Sequence, residues 1–214
     1  MTLRNLVGVA LFFVYPALHA AAAQPAVVFV GDSLTAGYGL DPQEAYPAVI
    51  AERMRQAGLT FEVVNAGLSG DTTAAGLRRT AWVLRRPVAV FVLALGGNDG
   101  LRGIPPEETE RNLQAIIDAV RTSQPGARIV LTGMQSPPNM GPEFTTAFRE
   151  LFPRLAERNG LPFVPFLLEG VAGERDLNQP DGIHPTAEGQ QRIADVVWPI
   201  LEPVLREAAQ TAAG

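Results

Sequence analysis

The chain contains no cysteine and no lysine, and only two histidines, His19 and His184. Without cysteine there are no disulfides, thiolate nucleophiles, zinc–thiolate sites or iron–sulfur clusters. All 17 basic residues are arginine, which excludes Schiff-base and pyridoxal lysines and the lysine of a P-loop. Positive charge is also in short supply: the net charge is −5, with no basic footprint for nucleic acid. Long apolar runs are scarce. After residue 23 the longest, Val88 to Leu95, is strand-sized and far short of the ~20 residues of a membrane span. What is present is 214 residues, 47% hydrophobic and 18% charged, enough to build a single self-sufficient core.

The first 23 residues differ from the rest. Arg4 is followed by an apolar run from Leu6 to Tyr15, then by Pro16 and the small residues Ala20 to Ala23. This is the pattern of a secretory signal peptide, spanning 1–23, ahead of one domain over 24–214. A membrane anchor is the alternative, but the run is too short to span. Cleavage leaves 16 arginines against 22 acids, His184 as the sole histidine, and a protein of the periplasm or the cell exterior with no stable membrane insertion.

Along the remaining chain, apolar β-branched runs alternate with segments of helical period. Strands are predicted at Ala26–Val30, Phe61–Asn65, Val88–Leu95, Arg128–Thr132 and Leu161–Phe166, the last weakened by Pro162 and Pro165 as suits a sheet edge. Between them, helices are predicted from Asp41 to Gly58, Thr72 to Leu84, from Pro105 onward, Phe144 to Asn159 and Pro185 to Leu205. Asp41-Pro42-Gln43-Glu44 carries an N-cap, a proline at N1 and an acid at N3. Strands separated by helices imply an α/β fold with a five-stranded parallel sheet and helices on both faces. In such sheets, sites lie beyond the carboxyl ends of the strands.

Polar and glycine-rich residues concentrate there. The segments that follow the strands begin Gly31-Asp32-Ser33-Leu34, Asn65-Ala66-Gly67-Leu68, Gly96-Gly97-Asn98-Asp99 and Met134-Gln135-Ser136, and Asp181-Gly182-Ile183-His184 comes after the last. Asp181 stands three residues before His184, close enough for a tight turn to bring its carboxylate to Nδ1 and free Nε2 as a base. With cysteine and lysine absent, Ser33 is the candidate nucleophile, set in the first turn after a strand; a helix-capping serine would look the same. Gly67, whose N–H can approach closely, and the Asn98 amide are candidate anion donors, although each also suits a turn. Asp32, Asp71 and Asp99 fit supporting or turn roles. Together with Asp181 these carboxylates lack metal-site spacing, and no metal is expected.

These blocks resemble, in order, those of the SGNH or GDSL hydrolase family, over Val27 to Leu205, and within it the secreted bacterial arylesterase, acyl-CoA thioesterase and lysophospholipase group. The G-x-S-x-G elbow of α/β-hydrolases does not occur. The resemblance implies a three-layer α/β/α sandwich of flavodoxin-like type. It also implies a cofactor-free serine esterase acting on small-molecule esters, thioesters or lysophospholipids, expected to be monomeric. The roles it implies are Ser33 as nucleophile, His184 as base and Asp181 as its orienter, with an oxyanion hole from the Ser33 N–H, the Gly67 N–H and the Asn98 side chain. The loops after strands two to four offer Leu68, Leu101, Ile104, Pro138, Asn139 and Met140 as acyl contacts; Met140 stands where the group often has an aromatic. A carbohydrate O-acetylesterase would use the same catalytic residues, and a non-catalytic binding module could share the fold.

Overall fold

A computed structural model describes residues 25–213; the predicted signal segment lies outside them. Five strands, β1 (Ala26–Gly31), β2 (Glu62–Gly67), β3 (Val88–Ala94), β4 (Arg128–Thr132) and β5 (Phe163–Val164), form one parallel sheet in the order β2-β1-β3-β4-β5. β1 and β3 run through its centre and are almost wholly buried, which is why both read as continuous apolar runs. Helices α2 (Tyr46–Gln56) and α7 (Ala187–Ala213) pack on each other, as do α3 (Thr73–Val83) with α5 (Pro106–Ser123) and α5 with α6 (Pro142–Asn159), giving the three layers expected. The strand order reverses at β1, whose Gly31 pairs with Gly67 on one side and Ala94 on the other. The loops after β1, β2 and β3 therefore leave the sheet at one level, at the topological switch point.

Several boundaries differ from those predicted. The Asp41 and Glu44 side chains do make bonds of the capping kind, Asp41 Oδ1 accepting the Gln43 N–H at 2.9 Å and Glu44 Oε2 accepting the Asp41 N–H at 3.0 Å, but around an isolated turn. α2 begins later, at Tyr46, whose fully buried ring packs edge-on to Phe29 and whose N–H is held by Gln190 Oε1 at 2.9 Å. β5 shrinks to two residues because the flanking Pro162 and Pro165 have no N–H to donate. α7 runs on to Ala213 through Pro199 and Pro203. Both prolines face outward, while Ile193, Val197, Leu201, Val204 and Leu205 keep the inner stripe buried. Two short helices flank the switch point: α1 (Ser33–Ala36) and α4 (Gly97–Arg102), the latter predicted as loop.

A buried network fixes α1. Gln190 of α7 donates from Nε2 to the Leu34 carbonyl at 3.1 Å, and Tyr46 Oη lies 3.1 Å from Thr35 Oγ1. On the other side Asn65 of β2 donates from Nδ2 to the Thr35 carbonyl at 2.8 Å. The first turn after β1 is thus held by α2, α7 and β2 together.

Candidate active site

Ser33 opens α1, and the helix is capped by its neighbour: Asp32 Oδ1 accepts the Leu34 N–H at 3.0 Å. The Ser33 hydroxyl is therefore free of capping duty and lies 2.9 Å from His184 Nε2. As the first helical residue, Ser33 also has a backbone N–H with no partner inside the helix. On the far side of the imidazole, Nδ1 is 2.6 Å from Asp181 Oδ2. The other Asp181 oxygen accepts the N–H groups of Ile183 and His184 at 2.9 and 3.0 Å, so one carboxylate shapes the turn and orients the ring. The His184 bond first, then these two N–H groups, hold the Asp181 carboxyl down at about 2. A carboxylate at Nδ1 keeps the ring proton there and leaves Nε2 to accept the Ser33 proton. The Tyr38 ring covers the imidazole, with centroids 4.4 Å apart and planes tilted by 36°.

Asn98 stands in α4 just beyond β3, with Nδ2 3.0 Å from the Asp71 carbonyl and 3.4 Å from Asp32 Oδ2. One amide hydrogen is committed to Asp71; the second has only the long contact and is available to a reacting oxygen. α4 is built from poor helix formers and is held by Asp99, which is fully buried and accepts both the N–H and the hydroxyl of Thr73 and the Thr109 hydroxyl. Asp71 pairs with Arg79, which also donates to the Gly31 carbonyl at 3.0 Å. These aspartates are supporting groups, as expected. If the second Asn98 hydrogen binds the developing oxyanion, Asn98→Ala lowers kcat by roughly 10²–10³ and changes KM far less. Steady-state kinetics on folded protein check this, and equal losses in both constants would contradict it.

Gly67 is a correction. Its N–H donates to Asn65 Oδ1 at 2.9 Å and is not offered to a substrate. The position needs glycine for packing: a Cβ would stand 2.3 Å from the Ala36 nitrogen of α1. The loop that follows β2 holds a second glycine, Gly70, next to the Asp71 carbonyl that receives Asn98. Its N–H makes no hydrogen bond among the described residues.

Asp32 is 1% exposed, and burial raises its carboxyl to about 6, against the partly offsetting Leu34 N–H bond. The folded state then holds this proton more tightly than the unfolded chain. The contribution of this group to stability is fully present below its ordinary value of 3.8 and is lost as pH rises through about 6. Asp32→Asn removes that titration. Its stability relative to wild type should rise by ~3 kcal/mol between acid and pH 8. Denaturant melts at both ends measure it, and a pH-independent difference would refute it.

A cavity of about 670 Å³ opens from Ser33, Asn98 and His184. Its walls include Leu101, Pro137, Pro138, Phe166, Leu168 and Ile183. Of the predicted acyl contacts, Leu101 and Pro138 line it. Leu68, Ile104, Asn139 and Met140 do not. Leu68 points to solvent, 54% exposed, and the turn Pro138–Met140 sets Met140 Cε over Gly103 instead. Phe166 and Leu168, from the chain after β5, were not anticipated; that segment is a plain apolar run with no chemical signature.

Residues 29–192 match the GDSL-like Lipase/Acylhydrolase family. The chain is 42% identical to Esterase TesA of Pseudomonas aeruginosa over 186 residues, covering 86% of this chain and 91% of that one. It is 37% identical to Thioesterase 1/protease 1/lysophospholipase L1 of Escherichia coli over 196 residues, covering 91% of each. Among solved structures, a crystal structure of TesA superposes with a TM-score of 0.79 at 41% identity, covering 84% of this chain and 99% of that one.

Proposed function

The chain belongs to the GDSL-like lipase/acylhydrolase family and is an ester hydrolase, and from that premise we propose that Ser33, His184 and Asp181 carry out acyl transfer to water from carboxylic esters, thioesters and lysophospholipids. The observation that supports it most directly is the continuous Ser33–His184–Asp181 relay, at 2.9 and 2.6 Å, opening on the acyl-sized cavity.

Ser33 Oγ attacks the acyl carbonyl while its proton passes to His184 Nε2. The carbonyl oxygen becomes an oxyanion, received by the Ser33 N–H, the Asn98 amide and, in place of Gly67, the Gly70 N–H. The imidazolium returns its proton to the leaving oxygen or sulfur as that bond breaks. Water then attacks the acyl-enzyme with His184 as base again, releasing the acid and restoring Ser33. Each step needs only groups of this chain, substrate and water. One chain supplies the triad and the cavity, which supports action as a monomer. The composition of residues 1–23 supports export to the periplasm or beyond.

The cavity exceeds what an acetyl group fills, which favours acyl chains of short to medium length over an O-acetylesterase. Hydrolysis of p-nitrophenyl esters from acetyl to palmitoyl tests this. The expected optimum is broad and lies beyond acetyl, and Leu168→Ala should weaken octanoyl more than acetyl esters because only the longer chain reaches that wall. Activity confined to acetyl esters would overturn the substrate assignment.

A further inference from the structure

The Ser33–His184 bond joins the first turn of α1 to a loop 151 residues further along the chain. The histidine loop is closed on itself: Asn178 and Pro185 form an antiparallel bridge, the Gln179 N–H donates to the His184 carbonyl at 2.7 Å, and the Gly182 N–H to the Gln179 carbonyl at 2.9 Å. A closed loop still has to be placed against α1. The side chain that does so is Gln179. Its Nε2 lies 2.7 Å from the Tyr38 carbonyl and 3.0 Å from the Pro185 carbonyl, one hydrogen for each. One carboxamide therefore clamps the exit of the nucleophile turn to the residue following His184. The contact is tight: a Cβ on Gly39 would stand 2.6 Å from Gln179 Oε1. The clamp also sets the base through the Tyr38 ring, which lies against the imidazole face.

We propose that Gln179 is a positioning residue for the hydrolysis, holding His184 in line with Ser33 through its two bonds to the Tyr38 and Pro185 carbonyls. The proposal rests on the assignment of Ser33 and His184 above. Gln179 reaches neither Ser33 nor substrate, so its whole effect passes through the imidazole. Proton transfer from Ser33 is sensitive to displacements of an ångström or less, and such a shift costs about 10²-fold in rate. Methionine at 179 keeps length and bulk but has no donor. Glutamate keeps the shape but faces two carbonyl acceptors with acceptors of its own.

The test is a cycle of Gln179→Met and His184→Ala, each alone and together, on protein shown to be folded by its melting curve. Turnover of p-nitrophenyl butyrate and the rate of labelling by a fluorophosphonate are both measured. Gln179→Met is expected to lower kcat and labelling in parallel by roughly 10–100-fold with little change in KM. In the His184→Ala background the same substitution should cost nothing further. Gln179→Glu, as a second variant, should behave like Gln179→Met. An inactive His184→Ala beside a fully active Gln179→Met would overturn the proposal and leave the triad standing. So would an equal loss from Gln179→Met in both backgrounds, the mark of general scaffolding. Full activity in His184→Ala would overturn the triad and the proposal together.

Discussion

Ser33→Ala should fold normally and lose turnover by on the order of 10⁶ in kcat, the scale seen when the nucleophile of a serine triad is removed. The two halves of that expectation have separate grounds. Stability is spared because the hydroxyl supports no part of the fold. Asp32 caps α1, and among the described residues the one side-chain partner of Ser33 Oγ is His184 Nε2. Activity is lost because no other serine is placed to replace it, since His184 is the sole histidine of the described residues and its Nε2 is given to Ser33. Mass spectrometry after fluorophosphonate treatment should show one adduct on wild type, at Ser33, and none on the variant. Substantial turnover by folded Ser33→Ala would remove the mechanism, and an unlabelled wild type would instead indicate a binding module on this fold.

The site was legible in the sequence largely through scarcity. With no cysteine, no lysine and one histidine beyond residue 23, the choice of base and nucleophile narrows before any geometry is considered. The spacing of Asp181 and His184 then predicts a turn, and it is found, closed by the Asp181 oxygen on two N–H groups. Central strands were equally legible, because burial on both faces leaves an unbroken apolar run. What local patterns could not show is which of two chemically similar candidates the fold selects. Gly67, the last residue of β2, and Gly70, in the loop beyond it, look alike in the sequence. Only the pairing of β2 with β1 turns the first onto α1, where Asn65 takes its N–H.

Tertiary contacts overrode local signals elsewhere in the same way. Asp41 and Glu44 make their capping bonds, yet the helix waits for Tyr46, because its burial against Phe29 outweighs a cap at the surface. Gly96 to Gly100 carries almost no helix propensity, and α4 forms because buried Asp99 ties it to Thr73 and Thr109. The acyl wall was missed for a different reason. Proximity in sequence brought Met140 forward, but a loop residue has two sides and the turn Pro138–Met140 commits it to Gly103. Phe166 and Leu168 reach the cavity because two-residue β5 ends early and lets the chain cross the rim.

His184→Ala is expected to cost as much as Ser33→Ala, and the double variant no more than either, because nucleophile and base act as one unit. Asp181→Asn should cost less, roughly 10⁴ in kcat, by favouring the wrong ring tautomer at Nδ1. The pH profile identifies the group responsible for the acid limb of kcat/KM. A protonated imidazole cannot accept the Ser33 proton, so activity must fall on acidification with the uptake of one proton. Asp181 cannot produce that limb, since its carboxyl is held at about 2 and stays ionised throughout. Asp32, raised to about 6 by burial, is the other group whose protonation could enter the profile. It touches the site through Oδ2, at 3.4 Å from the Asn98 amide, and its ionised form competes with the oxyanion for that hydrogen. Protonating Asp32 therefore frees Asn98 and would raise activity in acid, the opposite sign to the limb that His184 produces. Asp32→Asn should accordingly keep the acid limb, and loss of the limb in this variant would assign it to Asp32 in place of the base.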